Sequence, residues 1–159
     1  MPLFDATFRD PTTGHVDKKS LLQFGPSIEV IVGHYNSPVL APSPPQATPT
    51  PTEKTWALVD SGAGESCIDI QLATRLGLPV IDKMQIAGSN GSHTHNVYLA
   101  HIHIFGLEFA QFGRFAGVDL AGGNQAHGVL LGRTFLDNVL LIYDGVRGQI
   151  TFTCPSANP

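Results

Sequence analysis

An aspartate, a serine and two small residues stand together at Asp60-Ser61-Gly62-Ala63, directly after the apolar residues 55–59. A carboxylate at the end of a buried strand costs free energy unless it is hydrogen-bonded or used in chemistry. Ser61 places a hydroxyl beside the carboxylate, and Gly62 allows a sharp turn that brings backbone amides close to it. Alone, Asp-Ser-Gly is an ordinary turn, so its place at a strand end is what suggests a carboxylate held for acid–base work.

A second segment strengthens this interpretation of residues 60–63. Residues 129–131 are apolar, and Gly132 and Arg133 follow them at the start of a short predicted helix. Around these two segments the chain reads as short strands with frequent turn signals. Asn90-Gly91 predicts a hairpin, and Gly77 followed by Pro79 ends a predicted short helix. The predicted strands are 27–33, 55–60, 84–87, 95–99, 100–106, 112–120, 128–132, 139–144 and 149–153, and the helix is 71–79.

This pattern predicts an all-β protein, a small barrel-like or sandwich domain. We place the domain at residues 26–153, with an N-terminal extension at 1–25 and a tail at 154–159. The proline-rich stretch within 36–54 predicts an extended hairpin-loop insertion, because each proline fixes φ and removes a donor. A docking motif for a proline-reading partner is the alternative.

Composition excludes several functions. The net charge of −4 offers no basic surface for a phosphate backbone, so no nucleic-acid partner is expected. No apolar run approaches the ~20 residues of a membrane span, and the first residues lack the pattern of a secretory signal. Two cysteines are too few for a disulfide framework. We therefore expect a cytoplasmic protein with free thiols and no membrane association.

Together these motifs resemble the retropepsin-like aspartic proteases. That family combines a strand ending in Asp-Thr/Ser-Gly-Ala, a glycine-containing flap hairpin, an Ile-x-Ile-x-Gly-like strand and an apolar-apolar-Gly-Arg segment. The matching segments here are residues 57–63, 84–99, 102–106 and 130–133, in the family's order. The resemblance covers about residues 26–152 and implies a closed, barrel-like acid protease half with one short helix, working as a symmetric homodimer on peptide or protein substrates.

The resemblance also implies roles for individual residues. Asp60 would be catalytic, one copy from each subunit, with no cofactor and no metal. Ser61 would hydrogen-bond across the two-fold axis, and the Gly62 carbonyl would contact bound peptide. Gly132 and Arg133 would pack behind the catalytic loop as structural support, and residues 149–153 would form a strand that pairs between subunits. The implied substrate-binding residues are Ala63, Gly64, Ala87, Gly88, Ser89 and Leu131.

The sequence departs from retroviral members at Gly64, where those enzymes place an aspartate that pairs with the arginine. This leaves two alternatives: Glu65 is the partner of Arg133, or Arg133 points elsewhere. The long proline-rich loop is a second departure.

Three other functions compete with the protease. A non-catalytic dimerisation or peptide-binding module keeps the fold and drops the chemistry. A metal-binding β-barrel would use the pairs His93/His95 and His101/His103, although alternation with Ile102 predicts solvated histidines on the face away from the core. The glycines of residues 62–67 imitate a dinucleotide fingerprint, but Cys67 stands where glycine or alanine is needed and no repeated βαβ pattern follows.

Overall fold

A computed structural model describes residues 3–34, 50–88, 91–104, 106–107 and 109–153. Within these residues the chain is mostly β, with three short helices. The strands are β1 (Phe4–Asp5), β2 (Ser27–Gly33), β3 (Thr52–Val59), β4 (Cys67–Asp69), β5 (Val80–Gly88), β6 (Gly91–Ile104), β7 (Phe109–Val118), β8 (Val129–Leu131), β9 (Leu140–Asp144) and β10 (Gln149–Thr153). The helices are α1 (Lys18–Phe24), α2 (Ile70–Arg75) and α3 (Arg133–Leu136).

Six strands close a barrel in the order β2-β3-β8-β4-β7-β6, because β2 also pairs with β6 through Val30↔Ile104 and Val32↔Ile102. β5 lies outside this barrel and pairs with β6 alone. A second sheet of three strands has the order β1-β10-β9. Closure removes the free edges of the barrel strands and gives a single apolar interior.

The core fills that interior with alternate residues of the barrel strands and a layer from the second sheet. Val30, Val32, Ile102 and Ile104 are fully buried, as the alternation of their strands predicts. The largest fully buried side chains also include Phe115, Phe135, Phe152, Ile28, Ile68, Leu72, Leu131 and Ile150. Phe152 and Ile150 tie the three-stranded sheet to the barrel core.

The predicted all-β class and barrel are confirmed, and two strands, β2 and β10, have the predicted bounds. One short helix was expected from the resemblance, and the described residues form three: α2 overlaps the predicted helix 71–79, α3 begins at Arg133 as predicted, and α1 was not predicted. α1 was missed because seven residues carry little periodicity, although Asp17 caps it by accepting hydrogen bonds from the amides of Lys19 and Ser20. The predicted strands 95–99 and 100–106 form one long strand, β6.

The proposed insertion at 36–54 falls largely on residues 35–49, which lie outside the described residues, as does the tail at 154–159. β3 already includes Thr52, so the strand begins three residues earlier than predicted. In the N-terminal region, Phe4, Ala6 and Phe8 pack against the core, so these residues belong to the same folded body as the barrel. The division at residue 25 stays a prediction.

Candidate active site

Asp60 follows β3 at the point where three strand ends meet. β8 lies between β3 and β4, parallel to β3 through Val59↔Leu131 and antiparallel to β4 through Cys67↔Leu130. The chain between β3 and β4 therefore loops past the end of β8. We call residues 60–66 the aspartate loop. Its first amide, that of Asp60, donates to the Leu131 carbonyl at 2.9 Å.

The turn from β8 into α3 anchors this loop through its backbone. The amide of Arg133 donates to the Ala63 carbonyl at 3.0 Å, and the amide of Thr134 donates to the Gly64 carbonyl at 3.3 Å. Two helix amides that lack intrahelical partners are thereby satisfied by the loop. These main-chain contacts hold the aspartate loop against the β8–α3 turn.

Ser66 adds a buried side-chain link between the same two segments. Its Oγ accepts a hydrogen bond from the Gly132 amide at 3.1 Å and lies 3.1 Å from the Thr134 hydroxyl. Only 2% or less of Ser66 is exposed, so the loss of its hydroxyl would leave a buried amide without a partner. The sequence analysis did not single out Ser66 or Thr134. The available signal was a small hydroxyl residue directly before the predicted buried Cys67.

Gly132 has no room for a side chain. A Cβ atom there would lie 2.5 Å from the Glu65 carbonyl oxygen and 3.0 Å from that of Ala63. Both atoms belong to the backbone of the aspartate loop, so they cannot move aside cheaply. The glycine permits the close approach that the anchoring hydrogen bonds require.

The carboxylate itself is oriented by its own loop. Asp60 Oδ1 accepts a hydrogen bond from the Gly62 amide at 2.8 Å, and the Asp60 carbonyl accepts one from the Ala63 amide at 3.2 Å. The side chain is half-buried, while Ser61 and Gly62 are exposed. A half-buried carboxylate with one oxygen held by an amide leaves its other oxygen available for chemistry at the protein surface.

Arg133 contacts the start of the aspartate loop and not the Glu65 carboxylate. Its Nη1 donates to the Ser61 carbonyl at 3.0 Å and to the Gly62 carbonyl at 3.4 Å. Among the ion pairs between described residues, none joins Arg133 to Glu65. Of the two alternatives left open by the sequence, the second is therefore found.

An open cavity of about 400 Å³ lies beside Asp60. Its lining combines the aspartate with residues before β2, along β3 and on β9: Pro26, Leu58, Val59, Asp60, Ser61, Leu141 and Tyr143. Leu131, a predicted substrate-binding residue, is fully buried in the core, so we do not include its side chain among those that contact substrate.

The described part of the β5–β6 hairpin holds two of the predicted substrate-binding residues, Ala87 and Gly88. Its last described pairs are Ala87↔Ser92 and Gly88↔Gly91, and Ser89 lies outside the described residues. Ala87 and Gly88 are exposed, and neither lines the cavity at Asp60. Among the described residues, Asp60, Ser61 and Gly62 are therefore together in one loop, and the cavity beside them is lined without Ala87 or Gly88.

The prediction of solvated histidines on β6 is wrong for His101, which is 5% exposed and packs edge-on against the Phe112 ring. Burial and the neighbouring His103 lower its pKa. His95 donates from Nδ1 to the Gly117 carbonyl at 2.7 Å. In the part of the chain that the structure describes, no three His, Cys, Asp or Glu side chains converge as a metal site would require.

Cys67 is a buried, free thiol at the start of β4. Burial, with smaller contributions from the charges of Asp60 and Glu65, raises its pKa to about 11. The thiol is therefore protonated at neutral pH and acts as a small hydrophobic side chain, not as a nucleophile. The chemistry of this region thus falls to the carboxylate.

A separate apolar cavity of about 260 Å³ lies under α1 and is lined in part by Phe8, Phe24, Trp56 and His127. His127 is buried and its Nε2 lies 2.7 Å from the Ser27 hydroxyl. Asp60 does not line this cavity, so we do not include the cavity in the candidate active site.

Comparison with known proteins gives a family match that includes the aspartate loop. A family model described as aspartyl protease matches residues 52–135, which run from the start of β3 through α3 and include the aspartate loop, the hairpin and the β8–α3 turn. No curated protein matches the chain. None of the described helices is long and apolar enough to cross a membrane, and the cytoplasmic location stays a prediction. The chain belongs to the aspartyl protease family and has a retropepsin-like fold.

Proposed function

We propose that the protein is an aspartic endopeptidase whose active site forms from two copies of Asp60, one from each subunit of a symmetric dimer. The observation that carries this proposal is the environment of Asp60. Its side chain is half-buried, accepts a hydrogen bond from the Gly62 amide at 2.8 Å, and lines an open cavity. One described chain supplies one such aspartate loop, and peptide hydrolysis by this route needs two carboxylates. A second copy of the chain provides the other.

Two carboxylates close together share one proton, because both cannot ionise cheaply. The ionised Asp60 takes a proton from a water molecule, whose oxygen attacks the scissile carbonyl carbon. The protonated Asp60 donates its proton to the carbonyl oxygen, which gives a tetrahedral intermediate. When the C–N bond breaks, the leaving nitrogen takes up the proton that came from the water. A hydroxyl of the intermediate returns its proton to the other Asp60, so the product is a carboxylic acid and the pair again shares one proton. The step requires no metal and no covalent intermediate.

The neighbouring residues have supporting roles in this proposal. In it, Ser61, which is exposed, hydrogen-bonds across the two-fold axis and aligns the two aspartate loops. Arg133 supports the loop through its hydrogen bonds to the Ser61 and Gly62 carbonyls. Ala63 and Gly64 border the peptide, and Ala87 and Gly88 belong to a flap that closes over substrate and excludes water.

The experiment is digestion of a mixed peptide library by the wild type and by Asp60→Asn, read by mass spectrometry at mildly acidic and neutral pH. The amide cannot take part in the shared-proton pair, so we expect at least about a 10³-fold loss of cleavage with fold and dimer retained. Asp137→Asn, an exposed aspartate after α3, is the matched control and should cleave as the wild type does.

Cleavage by Asp60→Asn at the wild-type rate would refute the mechanism. Absence of cleavage by the wild type, with a dimer confirmed in solution, would instead favour the non-catalytic peptide-binding module. Activity should be higher at mildly acidic than at alkaline pH, because the carboxylate pair must retain one proton.

A further inference from the structure

The apolar cavity under α1, which we call the α1 cavity, has a volume of about 260 Å³. Three aromatic side chains line it, and the Phe8 ring centroid lies 6.3 Å from that of Phe24 and 6.3 Å from that of Trp56. Aromatic rings attract one another at about this separation. Pockets for drug-sized molecules measure about 300–1,000 Å³, so this smaller cavity has the size for a single side chain.

The wall of the α1 cavity also holds a buried polar atom. His127 is 5% exposed, and its Nε2 lies 2.7 Å from Ser27 Oγ. The Ser27 hydroxyl has one proton, and it donates toward the Gly25 carbonyl at 3.2 Å and the Phe24 carbonyl at 3.3 Å. Ser27 Oγ therefore accepts the Nε2 proton, which leaves Nδ1 of the neutral imidazole as an acceptor.

This Nδ1 atom has no hydrogen-bond partner among the described residues. Burial lowers the pKa of His127, so the ring is neutral at neutral pH and its Nδ1 stays an acceptor. A buried acceptor without a donor costs free energy. A ligand that brings an O–H or N–H group into the cavity would remove this cost.

A surface groove joins the α1 cavity to the cavity beside Asp60. Phe24 and His127 line both the groove and the α1 cavity. Leu58 lines both the groove and the cavity that contains Asp60. A peptide at the candidate active site can therefore follow one continuous surface to the α1 cavity.

β3 gives the length of this path. Trp56 and Leu58 lie on the outer face of the strand, because their neighbours Ala57 and Val59 are buried in the barrel. Asp60 is four residues beyond Trp56, which is about 13 Å at the rise of a strand. An extended peptide advances at about the same rise, so a residue about four positions from the scissile bond would reach the α1 cavity.

The N-terminal part of the chain supplies much of the α1 cavity. Phe8, Phe24 and Ser27 line it, and all three precede residue 52, where the family match begins. The cavity is therefore built in large part outside the segment that matches aspartyl proteases.

We propose that the α1 cavity binds an aromatic side chain with a hydrogen-bond donor, tyrosine or tryptophan, of a peptide substrate. The ring packs against Phe8, Phe24 and Trp56, and its O–H or N–H group donates to Nδ1 of His127. This inference rests on the proposed function, in which the peptide is cleaved at Asp60. The site selects peptides that carry such a residue about four positions from the cleaved bond.

The first test measures binding without catalysis, in Asp60→Asn. Trp56 is the single tryptophan of the chain and lines the cavity, so its fluorescence reports a ligand there. The probe is N-acetyltyrosinamide, compared with N-acetylphenylalaninamide and N-acetylleucinamide. We expect the tyrosine probe to bind about tenfold more tightly than the phenylalanine probe, which lacks the donor, and to exceed the leucine probe by more.

Ala126→Phe tests the location of the site. Ala126 is exposed and lines the α1 cavity, so a phenylalanine there takes the space of a ligand ring. We expect the tyrosine probe to bind at least about tenfold more weakly. Ala121→Phe is the matched control, because Ala121 is an exposed alanine of the same β7–β8 connection and lines neither the α1 cavity nor the groove. Circular dichroism checks the fold of both variants.

The second test measures kcat/KM of the wild type on a cleaved peptide in which one tyrosine is moved stepwise away from the scissile bond. We expect kcat/KM to be highest with the tyrosine about four positions away, at least about tenfold above the same peptide with alanine there. Ala126→Phe should lose this preference and cleave the alanine peptide as the wild type does.

Equal binding of the tyrosine and leucine probes, unchanged binding in Ala126→Phe, or cleavage that does not depend on the position of the tyrosine would overturn this site and leave the proposed function standing. Equal affinity for the tyrosine and phenylalanine probes would overturn the donor-bearing side chain as the ligand. Binding of the tyrosine probe by a wild type that cleaves no peptide would support the site and refute the proposed chemistry.

Discussion

The aspartate loop and the β5–β6 hairpin are built in opposite ways. The loop is held by β8 and α3 through backbone hydrogen bonds and the buried Ser66 hydroxyl. β5 pairs with β6 alone, and none of its residues is buried. The hairpin's polar contacts, such as Ser92 Oγ to Gln85 Oε1 at 3.1 Å, lie in solvent.

The difference shows that buried contacts are concentrated at the aspartate loop and not on β5. In the proposed protease, the reacting carboxylate must be held within a fraction of an ångström, which agrees with a loop anchored in the core. The proposed flap must open and close over substrate, and a hairpin with few buried contacts can do so. We therefore expect equivalent substitutions to have large effects in the loop and small effects in the hairpin.

The largest contrast is between two glycines. In Gly132→Ala the new Cβ meets the Glu65 carbonyl at 2.5 Å, so we expect a loss of about 3 kcal/mol in the free energy of unfolding and loss of peptide cleavage. In Gly88→Ala nothing lies within 4 Å of the new Cβ, so the change should be within about 0.5 kcal/mol. Urea unfolding of both variants measures the difference. Equal stability of the two would break the comparison.

The second contrast is between two serines. Ser66→Ala leaves the buried Gly132 amide without its acceptor, and we expect a cost of about 1–3 kcal/mol. Ser92→Ala removes an exposed hydrogen bond that water replaces, and its cost should be close to zero. Thermal unfolding at one pH measures both. A Ser92→Ala variant as unstable as Ser66→Ala would show that the hairpin is as tightly anchored as the loop.

The smallest contrast concerns pH and two histidines. Burial lowers the pKa of His127, which precedes β8, below its ordinary value of 6.5. A lowered histidine pKa contributes stability that is present above pH 6.5 and is lost as the pH falls below it, because protonation then favours the unfolded chain. The Tm should therefore fall between pH 7.5 and pH 5.

His127→Asn should reduce this fall without abolishing it, because the pKa of buried His101 is also lowered. His93→Asn, in the exposed part of the hairpin, is the variant with which it is compared. A His127→Asn variant whose Tm falls as steeply as that of the wild type would contradict the assignment.

Local patterns were sufficient for much of the fold. β2 and β10 alternate apolar and polar residues and are bounded by turn residues, so their limits could be read directly. The aspartate loop could be located because a carboxylate after an apolar strand is unusual. β4 and α1 were missed because three and seven residues carry too little periodicity.

Long-range packing explains the remaining errors. Alternation placed His101 on the face of β6 opposite Ile102, and that face was taken to be solvated. The Phe112 ring on the neighbouring strand β7 lies against it, and no pattern within β6 could show that. Likewise, the pairing of β10 with β1 joins residues 4–5 to 151–152, a contact between the two ends of the chain.

That last contact has a consequence for assembly. Because β1 completes the sheet around β10, a newly synthesised chain can reach its full tertiary structure before it meets another copy. We therefore expect association to be a collision between finished bodies, second order in protein and reversible on dilution. Its equilibrium would be set by the abundance of the chain. If the proposed dimer is the active form, proteolysis would depend on expression level, and it would be absent when copies are scarce and present once they accumulate.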